Sequence, residues 1–345
     1  MRIQHIMAVL IVAMLSGACS SGSGNGDNGD GSGAGDGGAH TGSLVVGGSR
    51  FVQTLDLTAD TGWTRLLEYT IGNALPAVHV PASELFMGRF TLADPFHIDV
   101  HALLPFSRTA VRQTDWPGTE LTVRMRGLAV SPGGQYIAAV MSDTVGTRQI
   151  EVLTDAAAGS DVVMTVFRGV TGDDLVWLDD HTIAFSMDLT GVNAPGVEHL
   201  AGAVVAADLS VPLAGGPLEG IRIDVLVGFE ANEWSGVDDV HSLAVTHDLQ
   251  RLAYTYRGNI WLYDPNAATD PEQVTTGPHP HWGAAFSPDG SRLAFIEKWR
   301  EHESHLFIVP LPTGDPHLIN SAAPDGDRYH RGAVTADKVL AWLPH

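Results

Sequence analysis

The stretch "WGAAFSPDGSRLAFI", residues 282–296, sets a four-residue turn between two short apolar runs. Ser287 suits the first turn position, Pro288 presets φ at the second, Asp289 follows, and Gly290 can take positive φ. The flanking runs "HWGAAF" and "RLAFIE" are short, apolar-rich and bounded by Gly and Pro, which is how strands read. The stretch is therefore a β-hairpin.

The same pattern recurs. "RGLAVSPGGQYIAAVM" at 126–141 repeats it almost position for position, and weaker copies stand at 174–187, 241–256 and 332–343, with a fainter one, "AVHVPASELFM", at 77–87. The weak copies lack the turn glycine; Leu249 stands where Gly290 would, so a different turn is expected there. Aligning the second strand of each copy on Phe86, Ile137, Ile183, Leu252, Leu293 and Leu340 gives intervals of 51, 46, 69, 41 and 47 residues. That is the spacing of four-stranded propeller blades, roughly 40 to 50 residues each, with one insertion in the long interval. Second hairpins follow at 259–276 and 305–319, giving four strands per repeat and an all-β chain without helices.

In these residues the chain resembles the TolB-like (WD40-like repeat) β-propeller family, whose repeat joins Trp or Phe, Ser-Pro-Asp-Gly, a short apolar strand and a strand like "IWLYD". The resemblance covers most of residues 51–343 and implies a six-bladed propeller. The chain ends after the second strand of its last repeat, and "RFVQTLDLTADTGWTRLLEYTIG" (50–72) reads as the missing third and fourth strands. Strands from both termini would then close the last blade and remove the open edges of the ring.

Residues 1–18 read as an export leader, with Arg2 before an apolar core of about ten residues, half of what a bilayer crossing needs. Cys19, the one cysteine, follows Ser16, Gly17 and Ala18 and resembles the lipobox of bacterial lipoproteins, although Leu15 stands one residue further out than usual. That resemblance implies lipidation at Cys19, and Ser20 implies sorting to the outer membrane. A simple secretory leader is the alternative. Residues 19–43 are mostly Gly, Ser, Asp, Asn and Ala and read as a tether, too polar to offset its own ordering entropy. The propeller is expected over 44–345.

The chain carries 40 acidic against 19 basic residues, a formal net charge of −21. Such a surface repels phosphate backbones and anionic lipid, so no nucleic-acid partner is expected and the lipid would be the sole membrane attachment. A single cysteine allows no internal disulfide.

In a propeller, the loops before the innermost strand and after the second strand emerge on one face of the channel. His279, His281, Trp282, Trp299, His302, His305, Trp234, Asp238, Asp239, His241, Asp327 and His330 all fall there, together with the loops 188–199, 228–239 and 297–305. Three readings compete. Trp234 and Trp299 among carboxylates suit a protein or peptide docking face. His279, His281, His302 and His305 could instead ligate a metal, although no His-Glu-x-x-His motif occurs. Sixteen histidines can also cluster by chance. Trp177, Trp261 and Trp342 sit within apolar strands and read as packing between blades. There is no G-x-S-x-G elbow for a peptidase. The expectation is a monomeric, non-catalytic envelope lipoprotein without cofactor, which binds an unidentified protein or peptide. A metal-dependent lyase or hydrolase centred on the four histidines is the alternative.

Overall fold

The computed structural model describes residues 41–48, 51–58, 63–68, 74–89, 97–116, 124–143, 145–154, 163–190, 192, 196–234, 240–264, 270–300, 303–311, 317–318 and 336–344. The expected leader, Cys19 and the expected tether up to residue 40 lie outside them.

The strands, in chain order, are β1 (Ser43–Gly48), β2 (Phe51–Asp56), β3 (Trp63–Glu68), β4 (Ala74–His79), β5 (Glu84–Arg89), β6 (His97–Ala102), β7 (Arg112–Asp115) and β8 (Arg124–Val130). Next come β9 (Tyr136–Ser142), β10 (Arg148–Thr154), β11 (Val163–Trp177), β12 (Thr182–Asp188), β13 (Leu200–Asp208), β14 (Arg222–Glu230), β15 (Val240–Val245) and β16 (Leu252–Tyr256). The last are β17 (Asn259–Tyr263), β18 (Glu272–Gln273), β19 (His281–Phe286), β20 (Arg292–Arg300), β21 (Glu303–Pro310), β22 (His317–Leu318) and β23 (Ala336–Leu343). One short helix, α1 (Ser210–Leu213), and a 3-10 turn, Leu218–Gly220, interrupt the all-β pattern in the repeat with the long interval.

Four sheets have four strands each, β4-β5-β6-β7, β15-β16-β17-β18, β19-β20-β21-β22 and β23-β1-β2-β3, and a fifth has seven, running from β8 to β14. In the seven-stranded sheet β11 serves twice: Val163–Val170 pairs with β10, and Leu175–Trp177 pairs with β12. First strands touch in a closed circuit, β4 on β8, β8 on β11, β11 on β15, β15 on β19, β19 on β23 and β23 on β4. The arrangement is the propeller that the repeats imply.

Apolar side chains on both faces of the inner strands fill the spaces between neighbouring sheets. In β9, Ala138 and Val140 pack toward β12, whereas Ile137, Ala139 and Met141 pack toward β5 and β6. In β1, Leu44 and Val46 face β20 and β21, and Val45 faces β5. Successive side chains point to opposite faces, so a strand buried on both sides must be apolar at every position. This is why the second strands read as unbroken apolar runs.

Phe86, Ile137, Ile183, Leu252 and Leu293 each lie on the second strand of their unit, as the alignment expects, but Leu340 does not. β23 is the first strand of its sheet, and "SLVVGG", at the start of the expected propeller, forms β1 beside it. The closing sheet therefore takes one strand from the C-terminal end and three from the N-terminal end, where a two-and-two division was expected. The reason is in β1: Leu44, Val45 and Val46 are apolar on both faces and bury completely only between β23 and β2.

The hairpin turns correct a second expectation. Gly290 takes φ +68° and its N–H donates to Ser287 O at 2.8 Å, while Ser287 Oγ donates to Asp289 Oδ1 at 2.6 Å. Leu249 adopts the same conformation, with φ +61°, its N–H donating to Thr246 O at 2.8 Å and Thr246 Oγ1 donating to Asp248. The hydroxyl-to-carboxylate bond organises the turn in both places, so the turn survives without glycine at the cost of a left-handed leucine.

These turns also tie neighbouring units together. Arg251 donates to Gly290 O, Asp180 accepts from Gly133 N, and His79 Nε2 lies 2.7 Å from Pro132 O. A Cβ on Gly290 would meet Arg251 Nη2 at 2.7 Å. Gly290→Val is thus expected to destabilise the fold by about 1–3 kcal/mol, through strain at positive φ and loss of the Arg251 contact. Leu249→Asn, which tolerates the left-handed region, should gain about 1 kcal/mol. Urea unfolding of both variants measures the two shifts.

Candidate functional site

Matching second-strand partners, Val130 with Ile137, Trp177 with Ile183, Val245 with Leu252 and Phe286 with Leu293, puts four first strands in one register. Arg126, Asp173, His241 and Trp282 then occupy equivalent positions near the start of their strands. One residue further on stand Gly127, Asp174, Ser242 and Gly283. Each of these strands breaks register here, and Ser242 and Gly283 take φ +52° and +59°. A bulge at this point re-aims the side chains beside it.

At the mouth, the His241 and Trp282 rings meet edge to face, with centroids 5.9 Å apart, and Lys298 Nζ sits 4.8 Å from the Trp282 centroid. Trp282 Nε1 is buried and has no hydrogen-bond partner among the described residues. Arg148 Nε donates to Asp173 Oδ1 at 2.7 Å. Beneath them, Lys338 Nζ lies 2.5 Å from Asp174 Oδ1, and Ser242 N–H donates to Asp174 Oδ2 at 2.8 Å. Burial alone would raise the Asp174 carboxyl; the Lys338 ammonium, with the hydrogen bonds from Lys338 and Ser242, outweighs it and holds the group below the ordinary carboxylate value.

His281 is buried, its N–H and its Nδ1 at 2.8 Å and 3.2 Å from Gly258 O and its Nε2 at 3.5 Å from Glu297 Oε1. Glu297 pairs in register with both His281 and His305, so the three share one face of the β19–β22 sheet in a row across the strands. His279 lies in the loop that enters β19. Among the described residues no three His, Cys, Asp or Glu side chains are placed to hold a metal ion. His302, Asp238, Asp239, Asp327 and His330 lie outside the described residues, and so does the Trp299 side chain.

Trp234, expected as an exposed anchor, is 8% exposed. The backbone turns after β14, with the N–H groups of Glu233 and Trp234 both donating to Glu230 O, and this folds the indole back onto Phe229 at 5.6 Å. It fills the space over Gly202, where a Cβ would meet the indole ring at 2.2 Å. Trp177 and Trp342 are buried as expected, Trp177 Nε1 donating to Ala129 O across the boundary between units. Trp261 packs partly buried beside Tyr256.

No protein-family model matches the sequence, and no curated protein does. Among solved structures the chain is similar to TolB from Acinetobacter baumannii, with a TM-score of 0.54, 15% identity, and coverage of 81% of this chain and 66% of that one. The fold is a β-propeller. A nidogen/laminin complex structure matches at TM-score 0.53 and 13% identity, over 80% of this chain and 93% of that one. A periplasmic gluconolactonase of Pseudomonas aeruginosa matches at 0.51 and 14%, over 81% and 82%. At these identities the likeness lies in the propeller alone. It spans slightly under two thirds of the TolB chain.

Asp174, Lys338 and Arg148 were not among the expected site residues, and Lys298 fell only within the expected loop 297–305. A signal for Asp174 was present: it stands where the aligned repeats have Gly127, Ser242 and Gly283. Lys338 gave none, because its strand was aligned one place out.

Burial lowers the His281 pKa most strongly, against the opposing pull of Glu297 and Gly258 O, and burial likewise lowers that of His247. The unfolded chain titrates these groups near the ordinary value of about 6.5 and gains protons that the folded state refuses. Stability is therefore expected to fall as pH drops through about 6.5. The melting temperature should decline between about pH 7.5 and pH 5.5, and His281→Gln should flatten that decline.

Proposed function

We propose that the protein is a non-catalytic, six-bladed propeller of the bacterial cell envelope that docks an extended protein or peptide segment on its channel face. The six-blade reading divides the seven-stranded sheet within β11, where its pairing passes from β10 to β12. The circuit of first strands supports that division.

The observation that carries the docking reading is Trp282. Its ring is flanked by His241 and Lys298 at the mouth, and its indole N–H has no acceptor among the described residues. The Trp282 side chain keeps part of its surface open, which a docked segment would cover. Tryptophan, rigid and amphipathic, is also the residue most often found to dominate interface energetics. The negative net charge favours a basic or polar partner over an anionic one.

Anchoring through a lipid on Cys19, with the propeller held by the tether at the periplasmic side of the outer membrane or at the cell surface, completes the reading. The gluconolactonase that the chain resembles is periplasmic, in agreement with an envelope address. That protein is also the ground for a catalytic alternative, for which His279, His281, His302 and His305 would be the metal ligands. Elemental analysis of the purified chain separates the two readings, since stoichiometric metal lost on His281→Ala would favour catalysis.

Photo-crosslinking from position 241 in cells is expected to trap a discrete partner. Trp282→Ala should weaken its binding by about 2 kcal/mol, roughly 30-fold in Kd. Asp289→Ala, on the opposite face, should leave binding unchanged. Equal loss in both variants would contradict docking at the channel face.

A further inference from the structure

An ion pair crosses the axis of the ring. Lys338 belongs to β23 and Asp174 to β11, and the circuit of first strands separates these two by three steps in either direction. The partners are differently held. Asp174 is fixed by the Ser242 N–H, which the positive-φ bulge of β15 presents at 2.8 Å. Lys338 reaches across on a flexible four-carbon stem and gives up rotamer freedom to do so. Both side chains keep solvent contact, with 22% of Asp174 and 31% of Lys338 exposed, so the pair can be reached from the channel.

A carboxylate anchored by the backbone and neutralised by a mobile ammonium is a cation site with an exchangeable occupant. We propose that Asp174 is the anchor of an ammonium-binding site in the channel, and that Lys338 is its resident occupant, displaced when the N-terminal amine or a lysine of a docked segment enters. The source of that ammonium rests on the docking reading above, while the site itself stands on the Asp174, Ser242 and Lys338 geometry. His241 precedes Ser242, whose N–H donates to Asp174, and the Trp282 ring beside His241 already accepts one ammonium, that of Lys298.

The test is chemical rescue on the full chain. Lys338→Ala removes a propylammonium group, so n-propylammonium chloride is the probe, against sodium chloride at equal ionic strength. The variant should melt at a lower temperature than the wild type, and n-propylammonium should raise that temperature while leaving wild type and the Lys338→Ala/Asp174→Asn double variant unmoved. Calorimetry should show the amine binding Lys338→Ala about tenfold more tightly than wild type, because the resident lysine no longer competes. Should Lys338→Ala fail to fold alone, recovery of folded protein when it is refolded in n-propylammonium supports the site. No amine-dependent shift, or the same shift in the double variant, overturns it. If the amine does not bind while Trp282→Ala still loses the crosslinked partner, the ammonium site falls and the docking face stands.

Discussion

The antiparallel pairing of β1 with β23 is the constraint from which the rest of the structure follows. It joins Ser43–Gly48 to Ala336–Leu343, nearly the whole length of the chain apart, and makes one sheet from its two ends. Leu44, Val46, Val339 and Trp342 then fill the space beside β20 and β21, and Val45, Ala341 and Leu343 fill the space beside β5. Trp342 is 1% exposed and its indole N–H donates to Thr41 O at 2.9 Å, which ties the last strand to the residues just before the first. Without this seam, two apolar sheet faces and two strand edges would open to water, a surface prone to aggregation.

Closure also creates the site. Lys338 rides on the closing strand, so the ion pair with Asp174 exists only when the ring is shut. The bulges beside Arg126, Asp173, His241 and Trp282 lie on first strands held side by side, and the inner turns lock those strands at the other end through Arg251, Asp180 and His79. One end of each first strand is thus rigid and the other carries the polar and aromatic side chains. The proposed docking face would thus sit on a stiff frame.

The fold was legible because its signal repeats. Ser-Pro-Asp-Gly and its weaker copies mark hairpins at blade spacing, and second strands with successive apolar residues show that both faces are covered. The closing strand was harder to place. "SLVVGG" follows directly on the glycine-rich tether, and a run of three apolar residues is too short to announce a strand until its partners on both sides are known. The turn at Thr246–Leu249 was misjudged for the opposite reason: the missing glycine was visible, but the hydroxyl-to-carboxylate bond that keeps the turn in place is a tertiary detail. The site was legible as a face and not as contacts. His241, His281 and Trp282 were placed by register, whereas the burial of Trp234 and the reach of Lys338 across the axis depend on packing that no local pattern encodes.

The account stands most directly on the seam between the termini, and a cross-strand disulfide tests it. In a Cys19→Ser background, Ser43→Cys and Leu343→Cys occupy paired positions of β1 and β23. Mild oxidation of the folded monomer should yield an intramolecular disulfide, seen as a faster-migrating band on a non-reducing denaturing gel and abolished by unfolding before oxidation. A chain that stays reduced, or that forms bonds only between molecules, would contradict closure of the ring by its two ends.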